Sequence, residues 1–334
     1  MPPLVYVATA PGPRSQGIQL FRLQTEDLEV SQNITLAPLG QAAEGPGYFE
    51  LDPKRRFLFT LDEAGKQVGV LAIDAATGKL TAVDRKPVPG AGPCHLIADG
   101  GGQSLLVAAR DTIAVVPVAA DGHLGAPSEV VTLGGKARAQ GLALDPAGRT
   151  LLACDAGRDQ VLAYHLDKGK LKAASTLNLK PGSGPRRAVF RADGKMAYVA
   201  CTRSMVAVVS CEGGALKEVQ SASTVPEYYD GPNEASEIAL HPAGGFLYVS
   251  NRGHNSVVLF TVDGTAGTVS FVEEQGTGGK NPTHFGVAPG AKHLAIGNQD
   301  SDTVLVCRID AGNGRLKPSG VFTTVPNPTC VRFL

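Results

Sequence analysis

Two adjacent arginines stand at the start of an apolar, strand-like run in the stretch GSGPRRAVF, residues 182–190. A short apolar run that follows glycine and proline is typical of a β-strand. Arg186 and Arg187 therefore place two guanidinium groups at the entrance to a segment that should pack against others. Guanidinium groups bind phosphate and carboxylate oxygens through paired hydrogen bonds, so this strand start is a candidate anion-binding site.

A phrase that recurs along the chain indicates a repeat architecture. It consists of a turn, a short apolar strand, a turn of the Asp-Pro-Gly type and a second apolar strand. A proline or its equivalent begins each copy, at positions 46, 93, 139, 185, 235, 282 and 328. The spacings are 47, 46, 46, 50, 47 and 46 residues, a regularity that is hard to obtain by chance.

Each unit continues with a third alternating segment, as in DQVLAYHLD and NSVVLFTVD, and a weaker fourth segment after a glycine turn. Alternation with a period of two indicates antiparallel strands and not helices. Four strands in a unit of roughly 40–50 residues are typical of a β-propeller blade.

The two ends of the chain complement each other. LVYVATA at the start matches a second strand of the unit, and PTCVRFL at the end matches a first strand. We therefore predict an all-β fold: one seven-bladed β-propeller domain over residues 1–334, with four antiparallel strands per blade, closed by pairing of the N- and C-terminal strands. A β-solenoid or two sandwiches would leave the complementary ends unexplained.

This topology predicts which side chains converge. In a blade the first strand lies innermost, and its start faces the same end of the central channel as the loop between the second and third strands. We call this end of the channel the mouth. The strand starts contribute Gly47, Tyr48, Cys94, His95, Gln140, Gly141, Arg186, Arg187, Ser236, Glu237, Thr283, His284, Thr329 and Cys330. The ends of the second strands contribute Asp62, Glu63, Arg110, Asp155, Thr202, Asn251, Arg252 and Gln299.

The predicted mouth concentrates ionisable groups in a chain whose lysines and arginines equal its aspartates and glutamates, at 31 each. Arginines supply cations, Glu237 supplies a carboxylate, and His95 and His284 titrate near neutral pH. We expect a site for a small anionic molecule. The alternative is that these groups pair among themselves and close the channel. Because adjacent strand residues point to opposite faces, we do not expect Arg186 and Arg187 to grip one ligand equally.

The unit of 50 residues carries its extra length in STVPEYYDGPNEASEI. This crossover must arrive at the mouth, where Tyr229 and its neighbours are candidates for a rim or lid. A tolerated surface insertion is the alternative.

Composition excludes several classes of protein. With no net charge, no overall field draws the chain to nucleic acid or to an acidic membrane. No secretory signal begins the sequence, and no segment approaches the roughly 18 apolar residues of a membrane span. We expect a cytoplasmic protein, and a monomer is compatible with the fold, since a closed propeller needs no partner. The six scattered cysteines are expected to be buried free thiols.

Familiar catalytic motifs are absent from the sequence. It contains no G-x-S-x-G elbow, P-loop, Rossmann fingerprint or H-E-x-x-H. No histidines and carboxylates have convincing metal-ligand spacing, so we predict neither a cofactor nor a metal site.

Over essentially its whole length the sequence resembles the lactonase family of seven-bladed propellers, which includes propeller-type 6-phosphogluconolactonases and the fungal 3-carboxymuconate cyclase. The stretches that carry the resemblance are GPCH, GSGPR, YYDGPNEASEIALHPAGGFLYVSNRGHNSVVLF and GNQDSDTVLVCRID. The resemblance implies a propeller that acts on a lactone.

The family pattern is only partly retained. The resemblance implies ligand-binding roles for Arg186 and for Arg252 of the SNRG phrase. This chain also retains the glutamate of the family pattern, as Glu237. Family members usually carry histidine where this chain has Gln140 and Arg187, and glutamate where it has Thr202. A usual arginine is replaced by Thr283, which His284 follows.

Opening a lactone requires a base to activate water and a group that stabilises the oxyanion. We assign catalytic roles to Glu237, Arg186, Arg252 and His95, with Glu237 preferred as the base over His95 and His284. The substrate-binding candidates are Arg187, Gln140, His284, Gln299, Thr202 and Tyr229.

Three functions remain open from the sequence. The first is a lactonase for a phosphorylated or carboxylated sugar lactone, foremost 6-phosphogluconolactone. The second is a non-catalytic propeller that binds an anionic small molecule or acts as a scaffold. The third is a muconate-type lactonizing enzyme, which would use the same arginines for carboxylates.

Overall fold

The computed structural model of the chain describes residues 3–24, 27–32 and 47–334. Its strands form seven four-stranded antiparallel sheets, one per blade of a β-propeller, as the repeat predicts. The proline at position 46, which begins the first copy of the repeat, lies outside the described residues. No helix of the described part is long and apolar enough to cross a membrane.

The strands run from the channel outward within each blade. Blade 1 contains, in this order, β28 (Pro328–Phe333), β1 (Leu4–Thr9), β2 (Ile18–Gln24) and β3 (Asp27–Gln32). Blade 2 contains β4 (Tyr48–Leu51), β5 (Phe57–Asp62), β6 (Gln67–Ile73) and β7 (Leu80–Pro87). Blade 3 contains β8 (Pro93–Ala98), β9 (Ser104–Ala109), β10 (Thr112–Pro117) and β11 (Glu129–Thr132). Blade 4 contains β12 (Ala139–Leu144), β13 (Thr150–Asp155), β14 (Gln160–Asp167) and β15 (Lys170–Asn178).

The remaining three blades repeat this order. Blade 5 contains β16 (Pro185–Phe190), β17 (Met196–Cys201), β18 (Met205–Glu212) and β19 (Ala215–Ser223). Blade 6 contains β20 (Glu234–Leu240), β21 (Phe246–Arg252), β22 (Ser256–Val262) and β23 (Val269–Gly276). Blade 7 contains β24 (Pro282–Val287), β25 (His293–Asn298), β26 (Thr303–Ile309) and β27 (Leu316–Thr324), with a 3₁₀ turn at Gln299–Ser301 after β25.

The ring closes as the complementary ends of the sequence predict. β28 pairs antiparallel with β1, so that Val331 lies opposite Val7. Both valines are fully buried in an apolar cluster that also contains residues of blade 7. The C-terminal strand therefore completes the blade that the N-terminal strands begin.

Apolar side chains of the second and third strands fill the space between neighbouring blades, since these strands are buried on both faces. Three tyrosines of second strands form hydrogen bonds to the neighbouring blade. The hydroxyl groups of Tyr6, Tyr198 and Tyr248 donate to the carbonyl oxygens of Gly78, Gly267 and Gly314 at 2.6, 3.0 and 2.8 Å. Each glycine belongs to the outer turn of the following blade, so the tyrosine joins two blades.

The six cysteines are unpaired, and all except Cys94 are buried. This arrangement confirms the expectation of free thiols. Cys94 is half-buried, and the low solvation of its thiol at the mouth raises its pKa to about 11, so that it stays protonated at neutral pH.

We predict that the terminal strand contributes fully to the core. Val331→Ala should lower the free energy of unfolding by about 2 kcal/mol, the order expected for emptying a buried valine site. Val130, which is 42% exposed on the outer strand β11, provides the control: Val130→Ala should change stability by less than about 0.5 kcal/mol. Denaturant unfolding measures both, and equal effects would contradict a closed ring.

Candidate functional site

Among the described residues, the innermost strand of six blades begins with a β-bulge. At this point the strand carries at least one residue more than its partner, as between Pro185 and Arg187 of β16. The corresponding shifts lie at Pro93/His95, Ala139/Gly141, Ala235/Ile238, Pro282/His284 and, in blade 1, opposite Ala8/Thr9. A bulge redirects side chains, so the strand starts present more groups to the mouth than regular strands would.

A cavity of about 300 Å³ occupies the mouth. Its size is at the lower end of the roughly 300–1,000 Å³ that small-molecule sites occupy. It is lined by Gly47, Tyr48, Leu61, Glu63, Pro93, Cys94, Arg110, Gln140, Arg186, Arg187, Arg252, Thr283, His284, Gln299 and Thr329. Strand starts and second-strand ends thus meet at one end of the channel, as the topology predicts.

Arg186 and Arg187 line the same cavity, and the expectation that they do not grip one ligand equally stays a prediction. Strict alternation applies to a regular strand. Here Pro185 pairs with Cys201 and Arg187 with Ala200, which leaves Arg186 as the extra residue of the bulge. Both guanidinium groups can therefore approach one ligand.

Arg186 is the cation of the mouth that lacks a partner. No side-chain hydrogen bond or ion pair joins it to any other residue that the structure describes. Burial, reinforced by the nearby charges of Arg187 and Arg252, lowers the pKa of Arg186 to about 10. The group remains a cation at neutral pH, and its hydrogen-bond donors are available to a ligand.

The other three arginines of the cavity each lie near a carboxylate. Nη2 of Arg110 is 3.2 Å from Glu63. Nε of Arg187 is 3.7 Å from Glu237, and Nη1 of Arg252 is 3.7 Å from Glu234. In addition, Nε of Arg252 donates to Oδ1 of Asn281 at 2.6 Å.

The loop before β16 positions Arg186. The carboxylate of Asp159 accepts hydrogen bonds from the backbone amides of Gly182 and Gly184, at 2.8 and 2.7 Å. Ser183 between them is fully buried. The GSG turn of the sequence is therefore tied to blade 4 immediately before the two arginines.

Arg187 is held against the first strand of the neighbouring blade. Its Nη1 donates to the carbonyl oxygen of Gln140, and its guanidinium lies over the ring of Tyr48 at 5.5 Å. Gly141 permits this approach, because a Cβ there would collide with the carbonyl oxygen of Arg186. Nε of Arg187 is buried without a hydrogen bond in the described structure.

Tyr48 is the centre of the layer beneath the opening. The centroid of its ring lies 4.7 Å from that of His95 and 6.0 Å from that of His284. Its hydroxyl accepts a hydrogen bond from Nη2 of Arg332 at 2.8 Å, and the same Nη2 donates to Glu50 at 2.8 Å. Burial raises the pKa of Tyr48 well above its usual value.

Sequence reasoning missed the Arg332–Glu50 pair as part of the channel. Both residues lie two positions after a strand-start residue, Cys330 and Tyr48 respectively, and so face the channel one layer deeper. The available signal was a charged residue at an inward-facing position of an otherwise apolar first strand.

His95 and His284 are neutral, and each ring accepts a hydrogen bond at Nδ1 and can donate one only from Nε2. Nδ1 of His95 accepts from the backbone amide of Leu142 at 3.0 Å, and Nδ1 of His284 accepts from that of Val331 at 3.2 Å. Burial, together with the charges of nearby arginines, lowers both histidine pKa values well below their usual range. Each neutral ring therefore carries its proton on Nε2, and neither has a free lone pair with which to act as a base.

Glu237 is the remaining candidate base of the three. Its Oε2 lies 3.3 Å from Nε2 of His284, and 10% of its side chain is exposed. Burial raises the pKa of Glu237, an effect that Arg187 and Arg332 oppose. Its carboxylate adjoins the cavity lining without belonging to it, since its neighbours Arg187 and His284 form the surface there.

The remaining sequence candidates divide into two groups. Gln140, Arg252, His284 and Gln299 line the cavity. Thr202 and Tyr229 lie outside its lining, so their substrate-binding roles stay predictions. Thr202 lies against the GSG turn, with its hydroxyl 3.5 Å from the carbonyl oxygen of Ser183.

Tyr229 belongs to the crossover between blades 5 and 6. Its hydroxyl donates to the carbonyl oxygen of Pro232 at 3.0 Å, and its ring packs edge-on against His254. The neighbouring Tyr228 is 77% exposed and donates to Glu274 at 2.8 Å. The described residues contain no group of three or more histidines, cysteines or carboxylates suited to a metal ion; the absence of a cofactor stays a prediction.

Comparison with known proteins agrees with this architecture. A family model described as lactonase, 7-bladed beta-propeller, matches residues 4–333, and the chain belongs to this family. It is 31% identical to the 6-phosphogluconolactonase of Bacillus subtilis, over 98% of this chain and 97% of that protein.

Solved structures show the same likeness. The periplasmic gluconolactonase PpgL of Pseudomonas aeruginosa is 28% identical, with a TM-score of 0.89 over 99% of both chains. A putative 6-phosphogluconolactonase from Bacteroides fragilis is 26% identical, with a TM-score of 0.88 over 100% of this chain and 98% of that one.

The neutral histidines predict a loss of stability in acid. Unfolding restores their usual pKa of 6.5, so the unfolded chain binds more protons and stability falls as the pH drops below that value. From pH 7.5 to 5.5 both histidines should therefore lower the stability of the folded protein, each by at most about 1.4 kcal/mol per pH unit. The raised pKa of Glu237 acts in the opposite direction.

Denaturant unfolding of a His95→Asn variant across this pH range tests the assignment. Asparagine retains an acceptor for the Leu142 amide but does not titrate, so the slope of stability against pH should become shallower. An unchanged slope would show that His95 is not held neutral.

Proposed function

We propose that this protein is a carboxylic ester hydrolase that opens a phosphorylated or carboxylated sugar lactone, foremost 6-phosphogluconolactone to 6-phosphogluconate. The observation that carries the proposal is Arg186, a cation in a small cavity whose three other arginines lie near carboxylates. The names of the relatives from Bacillus subtilis and Pseudomonas aeruginosa support the lactone as the reacting group. A cytoplasmic location and a monomeric state stay predictions.

In this proposal Arg186 and Arg252 hold the anionic group of the substrate. Arg186 is free to form a bidentate pair with phosphate or carboxylate oxygens. Arg252 lies near the exposed Glu234 at 3.7 Å, a separation that leaves its Nη atoms able to share a ligand. The ligand's charge would offset the mutual repulsion that these cations exert.

Glu237 serves as the general base. It removes a proton from water, and the resulting hydroxide adds to the lactone carbonyl carbon. Arg187, next to Glu237, stabilises the negative charge that develops on the carbonyl oxygen. The ring carbon–oxygen bond then breaks, and protonated Glu237 returns its proton to the departing ring oxygen. Atoms and charge balance: one water is consumed and one carboxylic acid forms, which ionises at neutral pH.

His284 and Tyr48 support this base and do not replace it. His284 keeps an Nε2–H group 3.3 Å from the carboxylate, which favours the ionised form of Glu237 at its edge of the cavity. Tyr48 provides the aromatic surface beneath Arg187. These contacts restrict the guanidinium and the carboxylate to one arrangement, as an oxyanion-stabilising site requires.

The first test concerns the anion anchor. Arg186→Ala should lower kcat/KM for freshly prepared 6-phosphogluconolactone roughly 10- to 100-fold, because charge-assisted hydrogen bonds of about 1.5–3 kcal/mol are lost. The kcat/KM for gluconolactone, which carries no charge, should fall much less. Arg149→Ala, an exposed arginine in the turn at the opposite end of the channel, is the matched control. Equal losses for both lactones would contradict an anion anchor.

The second test concerns the base. Glu237→Gln should lower kcat by about 10²–10⁴, the usual contribution of general-base catalysis, while the affinity for 6-phosphogluconate changes little. Because the base must be ionised, activity of the native protein should fall as the pH drops through the raised pKa of Glu237, and the variant should lose this acid limb. Ligand binding by the native protein without hydrolysis above the buffer rate would instead indicate a non-catalytic propeller.

A further inference from the structure

The loops around the mouth carry unequal charges. These loops connect the second and third strands of each blade or lead into its first strand, and together with the adjoining strand residues we call them the rim. Over blades 4 and 5, where the rim is described throughout, it holds two carboxylates, Asp155 and Asp159, and five cations: Lys136, Arg138, Arg158, Lys180 and Arg203. Over blades 6 and 7, also described throughout, it holds two cations, Arg252 and Lys280, and five carboxylates: Glu227, Asp230, Glu234, Asp300 and Asp302. A chain without net charge thus presents a basic and an acidic side at one end of its channel.

Most cations of the basic side lack a counter-ion. Arg158 pairs with the fully buried Asp155, whose Oδ2 lies 2.5 Å from its Nε. The carboxylate of Asp159 is occupied by the backbone amides of the GSG turn. The other four side chains are exposed and form no ion pair with any residue that the structure describes. We call these four the basic sector: Lys136, Arg138, Lys180 and Arg203.

The basic sector borders the cavity on the side of Arg186. Lys180 belongs to the loop that leads into β16, and Nη1 of Arg203 lies 3.5 Å from the carbonyl oxygen of Pro181 in the same loop. Lys136 and Arg138 belong to the loop that leads into β12, whose Gln140 lines the cavity. None of the four side chains of the sector lines the cavity itself. They therefore act on a ligand in the cavity through their electric field and not through contact.

A field of this kind distinguishes ligands by their charge. Coulomb energy is proportional to the charge of the ligand, so a dianion gains twice as much as a monoanion at the same place. A phosphate monoester carries nearly two negative charges above neutral pH, whereas a carboxylate carries one. Exposed charges act over the Debye length, about 30 Å at 0.01 M ionic strength but only about 3 Å at 1 M. The contribution of the basic sector should therefore depend strongly on salt.

We propose that the basic sector directs anionic ligands into the cavity and makes the site select a dianionic, phosphorylated ligand over a monoanionic, carboxylated one. This inference rests on the proposed function and deepens it, because the two substrate classes named there differ in charge. On the acidic side, Glu227, Asp230 and Asp300 form no ion pair with any described residue. Their charges repel an approaching anion, so the ligand enters over blades 4 and 5, where Arg186 lies.

Binding measurements test this selection without reference to turnover. Glucose 6-phosphate and glucose 6-sulfate share the sugar ring and a tetrahedral anionic group, but at pH 8 the first is a dianion and the second a monoanion. Titration calorimetry at about 0.01 M ionic strength should show that the native protein prefers the phosphate. The double variant Lys136→Gln, Lys180→Gln should bind glucose 6-phosphate about three- to sixfold more weakly and glucose 6-sulfate only about twofold more weakly. In 0.5 M KCl the variant and the native protein should bind glucose 6-phosphate equally well.

The matched control removes the same charge from the opposite end of the channel. Lys54 and Lys292 are exposed lysines in turns between first and second strands, and the double variant Lys54→Gln, Lys292→Gln should leave both affinities unchanged. Equal losses for the two ligands, a loss that persists in 0.5 M KCl, a similar loss in the control or no loss at all would overturn the role of the basic sector while leaving the anion site intact. If glucose 6-phosphate does not bind the native protein at millimolar concentration even at low salt, the proposed anion site fails, and the selection by charge fails with it.

Discussion

Pairing of the two terminal strands is the constraint on which the rest of the structure depends. β28 closes the ring by pairing with β1, and the same strand supplies groups to the channel. The amide of Val331 donates to Nδ1 of His284, and Arg332 donates to the hydroxyl of Tyr48. Closure therefore fixes the tautomer of one histidine and the position of the central tyrosine, so the fold and the electrostatics of the site form together.

At three of the repeat anchors, the side chain two positions later joins neighbouring blades. His95 of blade 3 accepts from an amide of blade 4, His284 of blade 7 accepts from one of blade 1, and Arg187 of blade 5 donates to a carbonyl of blade 4. Because these contacts occupy Nδ1 of both histidines, the two rings connect neighbouring blades and have no free Nδ1 with which to act as a base. This explains why two histidines near the mouth leave Glu237 as the candidate base.

The sequence predicted topology better than it predicted side-chain direction. Seven blades and the closing strand follow from the repeat and from the complementary ends, and the ring of mouth residues follows from the topology. The bulge at Arg186 could not be predicted, because a register shift arises from how β16 pairs with β17 and leaves no mark on the alternation of apolar residues. The same limit hid the pair of Arg332 and Glu50, which joins the first strands of the neighbouring blades 1 and 2, far apart in sequence.

The unpartnered Arg186 is best understood as a group retained at the expense of stability. Burial disfavours its charged form, and two neighbouring arginines add repulsion. Glu237 and Glu234 offset part of this repulsion, but neither forms an ion pair with Arg186, whereas Glu63, Glu234 and Glu237 lie within 3.7 Å of the other three cations. A carboxylate in contact with Arg186 would relieve more of it. It would also occupy the donors that an anionic ligand needs. Binding of an anion then stabilises the folded protein by an amount that grows with the logarithm of its concentration above Kd, and relief of the repulsion among the cations of the free site adds to the affinity for the ligand.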